Sequence, residues 1–153
     1  MLILAVYGHT DLAKIRKFLL DFGMTVVEET DESVSAFSLP GQLLTLFSFR
    51  IIYLRGYGPQ PYVYIAKKTE ERSYQGAAFV VEERVDLERA AKLGGTEIVP
   101  LDGPGGGFET VLSDPDGHPV RFVWGQTMAE LGEYPTEIVS VSSLRSLALA
   151  KFR

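Results

Sequence analysis

The sequence predicts an α+β domain assembled from two βαβββ units. Three observations lead there. The order strand, Asp-capped helix, glycine stop, three strands occurs twice. TDLAKIRKFLLDFGMTVVEE and VDLERAAKLGGTEIVP align at an offset of 75 residues. The chain has 153 residues, 46% of them hydrophobic, which suits one domain with a sizeable core. A repeated unit of this kind is half a structure, because alone it leaves an unpaired sheet edge and a bare sheet face that a second copy covers.

The elements follow in order. Residues 2–7 form an apolar run of strand length. Thr10 or Asp11 caps a helix by accepting a backbone N–H bond, and Leu12, Ile15, Phe18, Leu19 and Phe22 recur on one side of it. Gly23 ends that helix in the left-handed region. Residues 24–29 and 33–39 read as strands. Pro40-Gly41 marks a turn, and residues 43–54 are a dense apolar run broken by Arg50. Residues 56–61 hold two Gly and two Pro and read as a loop, before a strand over residues 62–67.

The second half restarts the pattern. Residues 77–81 read as a strand, Asp86 as the cap of a helix carrying Leu87, Ala90, Ala91 and Leu93, and Gly94-Gly95 as its end. Strands over residues 97–101, 108–112 and 119–124 follow, separated by GPGGG and by the DPDG turn. The GPGGG stretch is no phosphate loop, since a strand and not a helix N-terminus follows it; it reads as a flexible hairpin at a cleft mouth. The predicted domain covers residues 1–126, with modules over about 2–67 and 75–125. The tail, residues 127–153, reads as an amphipathic helix or a partly disordered segment. Residues 41–51 are more apolar than the pattern requires, and the tail is foreign to the repeat. Each is either a genuine element or translated non-coding sequence.

Composition narrows the function. Net charge is −5, against a nucleic-acid partner. There is no cysteine, which excludes disulfides and a thiolate nucleophile and fits a reducing cytoplasm. The N-terminus lacks the basic flank and cleavage site of a signal peptide, and no apolar run is long enough to span a membrane. Neither histidine, His9 or His118, stands in a nucleophile context.

Together, TDLAKIRKFLLDFGMTVVEE, YLRGYGPQPYVYIA, GAAFVVEERVDLERAAKL and DGPGGGFETVLSDPDGHPVRFVWGQ cover most of residues 2–126. They resemble the vicinal oxygen chelate superfamily of glyoxalases, bleomycin-resistance proteins and extradiol dioxygenases. The texture is most similar to the non-catalytic N-terminal part of fungal extradiol-type proteins. The resemblance implies a curved, half-open sheet with both helices outside and a cleft between the modules. It also implies a divalent metal there, held in catalytic members by His, Gln and Glu. Carried over, those positions hold Leu4, then Gly76 or Ala77, then Arg121, with a fourth near Tyr62 or Tyr64. None is a good ligand, and Arg121 carries a fixed positive charge. No cofactor is therefore expected. Iron, zinc or manganese held by His9, His118, Glu82 or Glu109 is the alternative.

Arg121 is left with two readings. It binds a carboxylate or phenolate through its planar fork, or it is an ordinary strand arginine paired with a surface Glu. Strand alternation puts Val123 on its face and Trp124 on the other, under the helices. The candidate cleft residues are Arg121, Tyr62, Tyr64, Val123 and Glu109. Three functions compete: a metal-free binding domain for a small aromatic or anionic molecule, including the N-terminal half of an extradiol-type protein; a metal-dependent glyoxalase or dioxygenase with unusual ligands; and a scaffold or dimerisation domain. The apolar tail suggests a homo-oligomer, or a partner second half.

Overall fold

The computed structural model describes residues 3–33 and 48–133. Residues 34–39 of the strand expected over residues 33–39, most of the apolar run before Arg50 and the tail from residue 134 lie outside the described residues, and Ser33 itself ends β2. Within them the order is β1 (Ile3–His9), α1 (Leu12–Asp21), β2 (Thr25–Ser33), β3 (Ser48–Arg55), β4 (Tyr64–Lys68), β5 (Ser73–Val80), α2 (Arg84–Lys92), β6 (Val99–Pro100), β7 (Phe108–Ser113) and β8 (Pro119–Trp124).

The eight strands form one mixed sheet in the order β2-β3-β4-β1-β5-β8-β7-β6. Each module contributes four strands with its first strand innermost. β1 runs parallel to β4, β5 runs parallel to β8, and the modules meet where β1 and β5 pair antiparallel. First and fifth strands thus occupy symmetry-related positions, as the repeat requires. The sheet is the paired βαβββ architecture that the sequence predicts.

Register sorts the side chains by face. Leu4 lies opposite Ala78, Ala78 beside Arg121, and Arg121 opposite Val111. The neighbouring row runs Tyr64, Ala5, Ala77, Val120, Leu112 and points to the other side. Helices occupy the second side. Leu12 and Leu19 of α1 pack with Ile52, Leu54 and Ala66, and Tyr64 joins them. The fully buried Leu87 of α2 faces the second module, where Thr110 donates a 2.8 Å hydrogen bond to the Thr96 carbonyl. The helix-free side has its own core of Leu4, Val6, Tyr62, Ile65, Ala78 and Val123, with Ile51, Tyr53 and Leu101 packed against it.

Several local expectations need correction. The cap of α2 is Glu83, without a side-chain cap bond, and not Asp86; Asp86 sits in the first turn and pairs with Arg89 at 2.8 Å. Asp11 does cap α1, accepting from the Lys14 N–H at 2.9 Å. The two caps stand 72 residues apart, so the alignment at 75 was three residues out of structural register. β5 begins at Ser73, four residues before the expected start, because β1 is long enough to pair with it down to Gly8. The strand expected over residues 97–101 shrinks to the two-residue β6, where Pro100 cannot donate to a ladder. β2 and β4 each lie slightly later than expected.

Candidate functional site

The helix-free side of β4, β5, β7 and β8 collects the charged groups. Arg121 shares it with Val123, and Glu109 stands diagonally across the β7–β8 ladder. The Arg121 Nε lies 3.6 Å from the Glu109 carboxylate, and both side chains are 19% exposed. The guanidinium also donates a 2.9 Å hydrogen bond to the Gln75 carbonyl. That contact is possible because β5 bulges there: Ala5 pairs with Ala77 but Tyr7 with Tyr74. Gly76 occupies the bulge with φ +99°, and a β-carbon on it would fall on the Pro119 carbonyl oxygen.

Lys67 reaches the same side from β4, two residues after Ile65 and opposite Ile51. Its amine is partly buried and has no hydrogen bond or ion pair among the described residues. Burial lowers its pKa, the charge of Arg121 lowers it further, and Glu109 opposes both. Tyr62 is buried beside them. Its phenol is pushed up to about 12, chiefly by burial, although Gln126 donates a 3.2 Å hydrogen bond to its oxygen. Tyr53 meets Tyr62 edge-on at 5.0 Å. The GPGGG stretch closes one end: Gly103 sits against the Tyr53 ring, and Leu101 joins the core. The loop is tied down, since Thr127 donates its N–H to the Gly105 carbonyl and Leu101 donates to Gly107.

Four of the five expected cleft residues, Arg121, Val123, Glu109 and Tyr62, come together. Tyr64 does not. Alternation from Ile65 turns it to the helix side, where it stacks on Tyr7 at 5.6 Å and shares a 2.9 Å hydrogen bond with His9 Nε2. Burial and Tyr7 push its phenol up to about 12. Ala77 likewise faces the helices, and Ala78 takes the cross-strand position beside Arg121. Lys67 was not singled out in the sequence, where it reads as the charged end of a strand. Its two-residue spacing from Ile65 was the available signal.

The alternative ligands are dispersed. His9 and Glu109 stand on opposite sides of the sheet. His118 lies in the exposed DPDG turn against Tyr74, and Glu82 is exposed. Among the described residues no group of three His, Cys, Asp or Glu is placed to hold a metal ion. His9 instead lines a depression of about 280 Å³ with Lys14, Phe18 and Arg72 at the start of α1. Burial and the nearby Arg72 lower its pKa.

Solved structures share this fold. The Mn(II)-bound glyoxalase from Novosphingobium aromaticivorans superposes with a TM-score of 0.67 at 17% identity, covering 87% of this chain and 41% of that one. An extradiol ring-cleaving dioxygenase from B. fuscum gives 0.58 at 25% identity, with 83% and 33% covered. Homoprotocatechuate 2,3-dioxygenase from Brevibacterium fuscum, in complex with 3,4-dihydroxyphenylacetate, gives 0.58 at 23% identity, with 85% and 39% covered. The chain therefore spans well under half the length of these neighbours. No protein-family model matches it, and no curated protein matches it in sequence. A divalent ion at the positions implied by the superfamily does not fit this chain. Leu4, Gly76 and Ala77 offer no side-chain donor atom, Tyr62 keeps its proton, and Arg121 would repel the cation.

Proposed function

On the fold it shares with glyoxalases and extradiol dioxygenases, we propose that this chain is a metal-free binding domain for a small organic anion with an aromatic body. One observation carries the reading. Arg121 takes the place of the carboxylate that the superfamily resemblance implies, and it is accompanied by Lys67, a partly buried cation with no ion pair among the described residues. A carboxylate or phenolate entering beside them supplies the missing counter-charge and accepts charge-assisted hydrogen bonds from the guanidinium fork. Tyr53 and Tyr62 supply aromatic faces, and Gln126 fixes the Tyr62 hydroxyl.

The test is a melting series on the full chain with phenylacetate, 3,4-dihydroxyphenylacetate and the uncharged phenylacetamide. A ligand bound only by the folded state raises the melting temperature. The two carboxylates should raise it and the amide should not, and Arg121→Glu should erase the difference while still melting cooperatively. Equal shifts for acid and amide, or none for either, would remove the reading. Added manganese or zinc should leave the wild type and Arg121→Glu unmoved, because one new carboxylate does not replace the other absent donors.

Length favours a second reading. The chain spans 33–41% of the neighbours named above, so it is also fit to work as one part of a larger cytoplasmic assembly. That part would be one copy in a homodimer, or the non-catalytic N-terminal half of an extradiol-type protein. A chain that sediments as a monomer at every concentration tested would remove the homodimer.

A further inference from the structure

We propose that the depression where β1 meets α1 binds a phosphate monoester of a small apolar group, its oxygens held by Lys14, Arg72 and His9. The site lies on the helix side of the sheet and is independent of the Arg121 cleft. Four observations lead to it. First, it is a formed cavity of about 280 Å³ lined by His9, Asp11, Lys14, Ile15, Phe18 and Arg72. Second, it gathers nitrogen groups from three segments: His9 from β1, Lys14 from α1 and Arg72 from the β4–β5 connection. Third, two of those groups are otherwise unengaged. Arg16 and Lys17 of α1 pair with Glu29 and Asp21, whereas the side chains of Lys14 and Arg72 have no hydrogen bond or ion pair among the described residues. Fourth, the rim is fixed. Thr69 donates its N–H to the His9 carbonyl at 3.0 Å, and Gly8 pairs with Ser73, where a β-carbon on Gly8 would strike the Ser73 and Thr69 hydroxyls. Lys68 donates to the Thr10 carbonyl, and the Tyr64 hydroxyl holds His9 Nε2 at 2.9 Å. These bonds keep the segment that carries Arg72 beside His9.

The chemistry of the lining selects the ligand. The first turn of α1 is not the binding group, because Asp11 already accepts the Lys14 N–H at 2.9 Å. The side-chain nitrogens are. A phosphate monoester offers them three acceptor oxygens and nearly two negative charges at neutral pH, whereas a carboxylate offers two oxygens and one charge. Ile15 and Phe18 form an apolar wall. The Phe18 side chain is 60% exposed, so a short apolar group on the ester covers a ring that water otherwise touches. Charge balances through His9. The charged groups around it are Arg72, Lys14, Asp11 and its cross-strand partner Lys68, and the phenols are those of Tyr7 and Tyr64. Burial and Arg72 hold the imidazole pKa down in the empty site. A bound dianion offsets Arg72 and draws a proton onto the ring. No covalent bond is made or broken.

Proton NMR of the full chain tests this, because it contains only two histidines. His9 reports the site, and His118 in the exposed DPDG turn is the internal control. Butyl phosphate, inorganic phosphate and 1-butanol are titrated at constant ionic strength, and both rings are followed from about pH 5 to 8. Butyl phosphate should move the His9 signals saturably and raise that pKa by about one unit, with His118 unmoved. Inorganic phosphate should bind about tenfold more weakly for want of the apolar contact, and 1-butanol should leave His9 where it was. Arg72→Gln changes an exposed side chain; it should still melt cooperatively and bind butyl phosphate at least about tenfold more weakly. Phe18→Ser should erase the advantage of the ester over inorganic phosphate. A His9 response no larger than that of His118, an equal response to the alcohol, or unchanged affinity in Arg72→Gln overturns the site. Inorganic phosphate binding to the wild type as tightly as the ester overturns it as well, since the apolar wall then contributes nothing.

Discussion

At the residue scale, the Arg121–Glu109 pair shows how a polar group is accommodated on a mostly apolar surface. Each side chain is only 19% exposed, and each is the other's counter-charge. Removing one partner leaves the other poorly solvated, so Arg121→Leu should destabilise the fold by about 2 kcal/mol, below the 3–5 kcal/mol of a fully buried pair. Adding Glu109→Leu to it should recover part of that loss, as a double-mutant cycle by chemical denaturation would measure. Tyr62 and Tyr64 provide a second check. Their folded pKa values of about 12 lie above the usual 10. A raised tyrosine pKa means that the unfolded chain gives up its proton first. The stability this protects is therefore complete below pH 10 and declines as pH rises toward 12. Denaturation midpoints across that range should fall, and fall less in Tyr62→Phe.

At the element scale, the two helices are unequal copies. Asp11 supplies a side-chain cap to α1, whereas Glu83 supplies none to α2. Asp11→Ala should cost about 1 kcal/mol, and Glu83→Ser should gain a comparable amount, both read by denaturant midpoint. The bulge in β5 is the other distinctive element. Gly76 adopts φ +99° with the Pro119 carbonyl where a β-carbon would go. Gly76→Ala must relieve both left-handed strain and a backbone clash, for a loss of at least about 2 kcal/mol. If it melts like the wild type, the bulge is not held as described. Because Arg121 donates to Gln75 beside this bulge, the variant should also weaken the phenylacetate response.

At the scale of the whole molecule, the seam between β1 and β5 joins the two modules into one sheet. The helix-free core draws on both, with Leu4, Val6 and Ile65 from the first and Ala78 and Val123 from the second. Neither module can lose its strands without exposing the other's buried face. Leu54→Ala and Leu87→Ala remove fully buried side chains from opposite modules, and each should cost about 2–4 kcal/mol. Both should lower one cooperative transition rather than split it into two, as calorimetry would show.

Much of this was legible in the sequence because it is local or repetitive. Gly23 at φ +98° ends α1, and Gly117 at φ +86° turns the DPDG hairpin. The Pro119–Trp124 strand lies where the alternation placed it. The repeat itself implied that first and fifth strands would be equivalent. Period-two alternation alone paired Arg121 with Val123. Applied to one strand over residues 62–67, it groups Tyr64 with Tyr62, whereas β4 begins at Tyr64 and Tyr62 lies in the loop before it, so the two rings end on opposite sides of the sheet. Alternation could not bring Lys67, Arg121, Glu109 and Gln126 together, since they lie on different strands or in the segment after β8. The sequence by itself determined the two-unit architecture and the absence of metal-ligand side chains at the implied positions, because both follow from residue type and spacing along one chain. Tertiary structure alone decided the company of Lys67 and the partner of Arg121, because cross-strand register and a single glycine bulge, set by long-range pairing, determine which distant side chains share a face.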